Sequence, residues 1–164
     1  DYEHALQKMI SVFNNNKSDY FLNQRLGWLF SQTKKIKNSI DHYNAAARIE
    51  PGSIEPWLAL SLLYLNLGDM ENTLATSTEV LIRDPKNYFG SLRSIAALIK
   101  LKKWNIAMAK VDAALLLYPL DPIFLEQKGF LFVSMGKTEK AKEPLTQLLL
   151  INPQNFYAKM ILKQ

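Results

Sequence analysis

Few residues of this chain are of types that do covalent or acid–base chemistry, and their spacing assembles no reaction centre. There are 2 histidines, His4 and His42, and no cysteine. Without thiolates, and without a His or carboxylate cluster at ligand spacing, no zinc or other metal site is expected. No glycine-rich phosphate loop and no nucleophile motif occurs. Serines and carboxylates fall at cap and surface positions of helical segments. The residues therefore predict no catalytic group, no cofactor and no metal, and the chain reads as non-enzymatic. What remains is a set of cations and a set of aromatics. The lysines gather at Lys34, Lys35 and Lys37, at Lys102 and Lys103, and at Lys137, Lys140 and Lys142. A net charge of +5 is modest. It serves solubility, so these lysines read as solvated turns and nucleic acid is a disfavoured partner.

The elements that would position these residues are written in a repeat. Pro51, Pro85, Pro119 and Pro153 stand 34 residues apart. Asp19, Ser53, Asn87, Asp121 and Asn155 keep the same interval. Each of that second set can accept from the orphan N–H groups of a new helix. A proline after one helix and a cap before the next is a repeated helix boundary. The apolar spacing then predicts helices at 1–14, 20–33, 36–50, 54–67, 70–83, 88–101, 104–117, 122–135, 138–151 and 156–164. Gly68 and Gly136 supply the left-handed residue that ends a helix; Lys34 and Lys102 hold the equivalent places, where a strained turn is expected. Small residues recur where paired helices must approach: Ser39, Thr73, Ala107 and Ala141 on second helices, Gly27, Ser61 and Gly129 on first ones. No apolar run reaches the ~18 residues of a membrane span. A cysteine-free chain fits cytoplasm or periplasm, with the cytoplasm slightly favoured.

This pattern resembles the tetratricopeptide repeat, roughly W-x2-L-G-x2-Y, then Ala, an aromatic and Pro over 34 residues. Trp57, Leu60, Ser61, Tyr64, Gly68, Asp69, Thr73, Val80 and Pro85 carry it best. Leu26, Gly27, Phe30, Tyr43, Ala46 and Pro51 carry it in one neighbour; Gly129, Phe132, Gly136, Ala141 and Pro153 carry it near the end. The stretch between them diverges, keeping Ala107, Ala114 and Pro119. The resemblance implies an all-α fold, a right-handed superhelical solenoid of antiparallel helix pairs. One domain over 1–164 is expected: a second helix of an incomplete repeat at 1–19, repeats at 20–53, 54–87, 88–121 and 122–155, and the start of a further first helix at 156–164. The chain is read as a fragment of a longer array.

The resemblance also implies that first helices line a concave groove through the second, fifth, sixth and ninth positions of each repeat. Here these give Phe21, Trp28, Leu58, Leu62, Phe89, Leu92 and Phe130 as anchors, with Arg25 and Arg93 as orienting charges. The expected partner is a protein or peptide presenting an apolar or amphipathic segment, because exposed apolar patches and aromatics mark binding sites. A carboxylate clamp of the chaperone-tail type is not expected: Gln24, Trp28, Ala59 and Phe89 stand at its positions, and Arg93 alone matches. Two other readings stand beside the scaffold. One is a homo-oligomer through the terminal helices, where Tyr2, Met9 and Phe13, and Phe156, Met160 and Ile161, lack partners. The other is a substrate-positioning domain of a larger enzyme.

Overall fold

A computed structural model describes residues 1–163. Among them the chain forms helices and no strand: α1 (Tyr2–Phe13), α2 (Tyr20–Gln32), α3 (Ile36–Ile49), α4 (Glu55–Leu67), α5 (Met70–Arg83), α6 (Tyr88–Lys100), α7 (Trp104–Leu117), α8 (Pro122–Ser134), α9 (Thr138–Ile151) and α10 (Phe156–Leu162). None of these is long and apolar enough to cross a membrane.

The helix ends follow from sequence. Asp19 Oδ1 accepts from Leu22 N at 2.8 Å, Asp121 Oδ1 from Phe124 N at 3.0 Å, Asn155 Oδ1 from Ala158 N at 2.8 Å and Asn87 Oδ1 from Gly90 N at 3.0 Å. Ser53 departs from this set. The hydroxyl is taken by Tyr20 OH at 2.6 Å and by the Glu55 carboxylate, so α4 starts without a side-chain cap. The proline ladder acts one residue upstream. A proline ring clashes with a helical residue before it and pushes that residue extended. Glu50, Asp84, Tyr118 and Asn152 accordingly leave the helix with φ of −123°, −135°, −131° and −126°.

The turns from α2, α4, α6 and α8 share one geometry. Lys34 N donates to Ser31 O and Lys35 N to Phe30 O; Lys102 N donates to Ile99 O and Lys103 N to Leu98 O. The same pair of bonds recurs at Gly68–Asp69 and at Gly136–Lys137. This motif satisfies the last carbonyls of a helix and needs a left-handed residue. Gly68 and Gly136 take φ of 75° and 72°; Lys34 and Lys102 are held at 59° and 57°. A turn this short makes α2 and α3, α4 and α5, and α8 and α9 antiparallel neighbours.

By its contacts the chain divides into two compact units, Asp1–Gly90 and Ser91–Gln164. In the first, Leu6 of α1 packs with Leu26, Leu29 and Phe30 of α2, with Met9, Phe13 and Trp28 against them. Gly27 is required by close approach: a Cβ there would lie 2.9 Å from the Tyr43 ring. Ser39 Oγ donates to Gly27 O at 2.7 Å across the same contact. Burial pushes the Tyr43 hydroxyl up to about 12. Arg83 ties α5 back to an earlier turn, its Nε donating to Pro51 O at 2.7 Å and its guanidinium lying 5.1 Å over the Trp57 ring. In the second unit Leu125, Ala141, Leu145, Leu148, Ala158 and Ile161 form the core. Gly129 fits only as glycine, since a Cβ would lie 2.6 Å from Leu145 Cγ.

Candidate functional site

The candidate binding residues lie on α2, α4, α6 and α8. On α2, Phe21, Arg25 and Trp28 follow i, i+4, i+7 spacing and so share a face. Phe21 is 75% exposed. Arg25 is exposed too and lays its guanidinium 5.0 Å over the half-buried Trp28 ring. Tyr2 of α1 meets the same indole edge-on at 5.3 Å. Phe21, Arg25 and Trp28, with Met9, Leu22, Gln24 and Tyr43, surround a hollow of about 510 Å³. On α4, Leu58 is half-buried and Leu62, one turn on, is 43% exposed. Phe89 of α6 is 51% exposed and sets its ring edge-on to Tyr88 at 5.5 Å.

In the second unit, Leu92 and Arg93 of α6 are half-buried, and burial holds the Arg93 guanidinium below its ordinary range. Phe130 of α8 is 37% exposed. Its ring lies 6.4 Å from Trp104 and 6.3 Å from Tyr157. It lines a hollow of about 340 Å³ with Ala96, Ile99 and Lys100 of α6, Glu126 and Gln127 of α8, and Tyr157 of α10. Every candidate anchor therefore keeps surface, and none is sealed in a core.

Polar groups at these positions behave differently in the two units. In the first, Gln24 Nε2 donates to Tyr20 OH at 2.7 Å, Tyr20 OH meets Ser53 Oγ, and Ser53 donates to Glu55. The Ser53 hydroxyl, with smaller help from the backbone and Tyr20, holds the Glu55 carboxyl below its usual value. These groups are spent on one another. In the second unit Glu126 accepts from Asn155 Nδ2, while the buried Gln127 Oε1 and Tyr157 OH find no partner among the described residues. Tyr157 and Lys100 escaped the sequence reading. Tyr157 is one period after Ile123 and could have been found by phase; Lys100 lies outside the four positions used.

His42 has a packing role. Its ring stacks on Phe30 at 5.2 Å and meets Phe13 edge-on at 5.0 Å. Asn23 Nδ2 donates to Lys17 O and Asp19 O, which leaves Asn23 Oδ1 as an acceptor for His42 Nδ1 at 3.0 Å. Nδ1 therefore carries a proton and donates it to Asn23 Oδ1. Burial holds the imidazole pKa below the ordinary value, against a smaller opposing pull from Asp41. Among the described residues no group of His, Cys, Asp and Glu could hold a metal ion. Of the turn lysines, Lys35 pairs with Glu3 at 2.9 Å and Lys142 with Glu139 at 2.8 Å, both exposed.

Residues 22–53 match the tetratricopeptide repeat family. No curated protein matches the chain. Solved structures match its fold over nearly its whole length. MamA AMB-1 superposes with a TM-score of 0.84 at 18% identity, covering 93% of this chain and 84% of that one. YrrB, described as a tetratricopeptide-repeat protein with an unusual peptide-binding site, gives 0.78 at 15% identity over 92% and 77%. A thermophilic tetratricopeptide-repeat protein of Thermus thermophilus gives 0.63 at 18% identity over 97% and 87%. Residues 22–53 thus match the tetratricopeptide repeat, and the chain shares the fold of solved tetratricopeptide-repeat proteins over nearly its whole length.

Proposed function

We propose that the chain is a protein-interaction scaffold that binds an apolar or amphipathic segment of a partner on its first-helix face. The observation that carries this is the exposure of large apolar side chains at the groove positions: Phe21, Leu62, Phe89 and Phe130. Phe21 and Phe89 hold the second position of their repeats and Leu62 and Phe130 the ninth, and exposed apolar patches on folded surfaces tend to be binding sites. Partner anchors would bury against these side chains, and Arg25, which has a ring beneath it and makes no ion pair among the described residues, would set register. YrrB, with the same fold, is described as having a peptide-binding site, which is compatible with this use of the scaffold. The repeats at 20–53, 54–87, 88–121 and 122–155 are the units through which the face recurs in this reading.

The test compares capture from a source lysate by the wild-type chain and by Phe21→Glu plus Leu62→Glu. Both side chains are exposed, so the variant keeps its helical circular dichroism. The reading expects a partner that wild type retains and the variant loses. Equal capture by the two would place binding elsewhere.

A further inference from the structure

The hollow at α2 in the first unit is charged on one side only. Met9, Phe21, Leu22, Trp28 and Tyr43 give it apolar walls, and its volume of about 510 Å³ takes one large side chain with part of the segment that carries it. Its lining holds one cation, Arg25, and no carboxylate. The carboxylates on neighbouring stretches are already spent. Glu55, linked to Gln24 through Tyr20, stands outside the lining and accepts from Ser53 and Tyr20. Glu3, next to Tyr2 on α1, pairs with Lys35. Arg25 is exposed and makes no ion pair among the described residues. The Trp28 ring holds its guanidinium at 5.0 Å, a contact that uses none of the N–H donors. Tyr2, edge-on to the same indole, supports that ring in turn. A positioned cation thus stands at an apolar hollow whose lining supplies no anion. A carboxylate complements it, because its two oxygens match the guanidinium fork. One guanidinium balances the single charge of a carboxylate, whereas a phosphate group carries about 1.5–2 charges.

We infer that this hollow receives a large apolar side chain of an extended peptide segment, and that Arg25 pairs with a carboxylate two residues away on the same segment. Alternate side chains of an extended segment lie on one face about 7 Å apart, so one segment can offer both groups. This rests on the reading that the first-helix face binds peptides, and it adds the charge preference of one site on that face. Arg25 is exposed, so its contribution is that of a surface ion pair, about a two- to fivefold change in Kd.

The experiment follows the Trp28 indole N–H of the nitrogen-labelled chain by NMR during titration. The probes are N-acetyl-Asp-Ala-Phe-N-methylamide, N-acetyl-Phe-Ala-Asp-N-methylamide, and the same two with Asn in place of Asp. The expected result is that the probes shift the Trp28 signal, that at least one Asp probe binds about two- to fivefold tighter than its Asn counterpart, and that Arg25→Gln removes the difference while the shift persists. Arg25 is exposed, so this variant keeps its helical circular dichroism. Equal Kd values for each Asp probe and its Asn counterpart would overturn the inference while leaving peptide binding intact. A preference for Asp that survives Arg25→Gln would overturn it too. So would the absence of any Trp28 shift; the wider reading is then decided separately by capture with the Phe21 and Leu62 variant.

Discussion

Replacing Lys34 and Lys102 by glycine should stabilise the chain. Both lysines sit at φ near 60°, at the places where Gly68 and Gly136 sit one period away. An L-residue in the left-handed region costs about 1–2 kcal/mol, which glycine does not bear. Glycine in turn loosens the unfolded chain by about 0.4–1 kcal/mol. The difference leaves a gain of about 0.5–1 kcal/mol per site. The two turns share no partner, so Lys34→Gly plus Lys102→Gly should gain about 1–2 kcal/mol, or roughly 2–8 °C in thermal midpoint for a chain of this size. Thermal melts by circular dichroism read the shift. Lys34→Ala plus Lys102→Ala removes the same charges and keeps the strain, so it should show no comparable gain. A glycine pair that melts no higher than the alanine pair would refute the reasoning, because backbone strain would then not be the operative term.

Gly129→Ala should lose about 1–2 kcal/mol, because the added methyl drives into Leu145 in a closed core; urea melts of the variant check this. His42 predicts a pH dependence. Its folded pKa lies below the unfolded value of about 6.5, so in that window the unfolded chain holds a proton the folded chain lacks. Its contribution is complete above about pH 6.5 and falls as pH drops through the folded pKa. Melts at pH 7.5 and 5.5 should show a smaller acid loss for His42→Gln than for wild type, and equal losses would contradict the assignment.

Helix positions were legible because their determinants are local. A proline one residue ahead, an Asp or Asn cap and a left-handed turn each act within a few residues of where they are written. Thus Pro51, Pro85, Pro119 and Pro153 mark helix ends without knowledge of the fold, and the strain at Lys34 and Lys102 follows from phase. Ser53 shows the limit. Its sequence context is a cap, but Tyr20 and Glu55, brought close by packing, claim the hydroxyl. His42 shows it again: Phe13, Phe30 and Asn23 come from two other helices, and no spacing reveals that they converge on one ring. Among the groove positions, phase identified surface but could not show which polar groups are spent. Gln24 and Glu55 belong to one network, while Gln127 Oε1 and Tyr157 OH have no partner among the described residues.

The central claim is that the first-helix face is the binding face. The chain also exposes aliphatics elsewhere: Leu116 at the end of α7 is 85% exposed and Leu150 at the end of α9 is 80% exposed. Site-specific photo-crosslinking separates the two surfaces. Benzoylphenylalanine is placed singly at positions 21, 62, 89 and 130, and singly at positions 116 and 150, and each protein is irradiated in source lysate. The account predicts one partner adduct at the first four positions and none at the last two. Adducts at 116 and 150, with none at the first-helix positions, would contradict it.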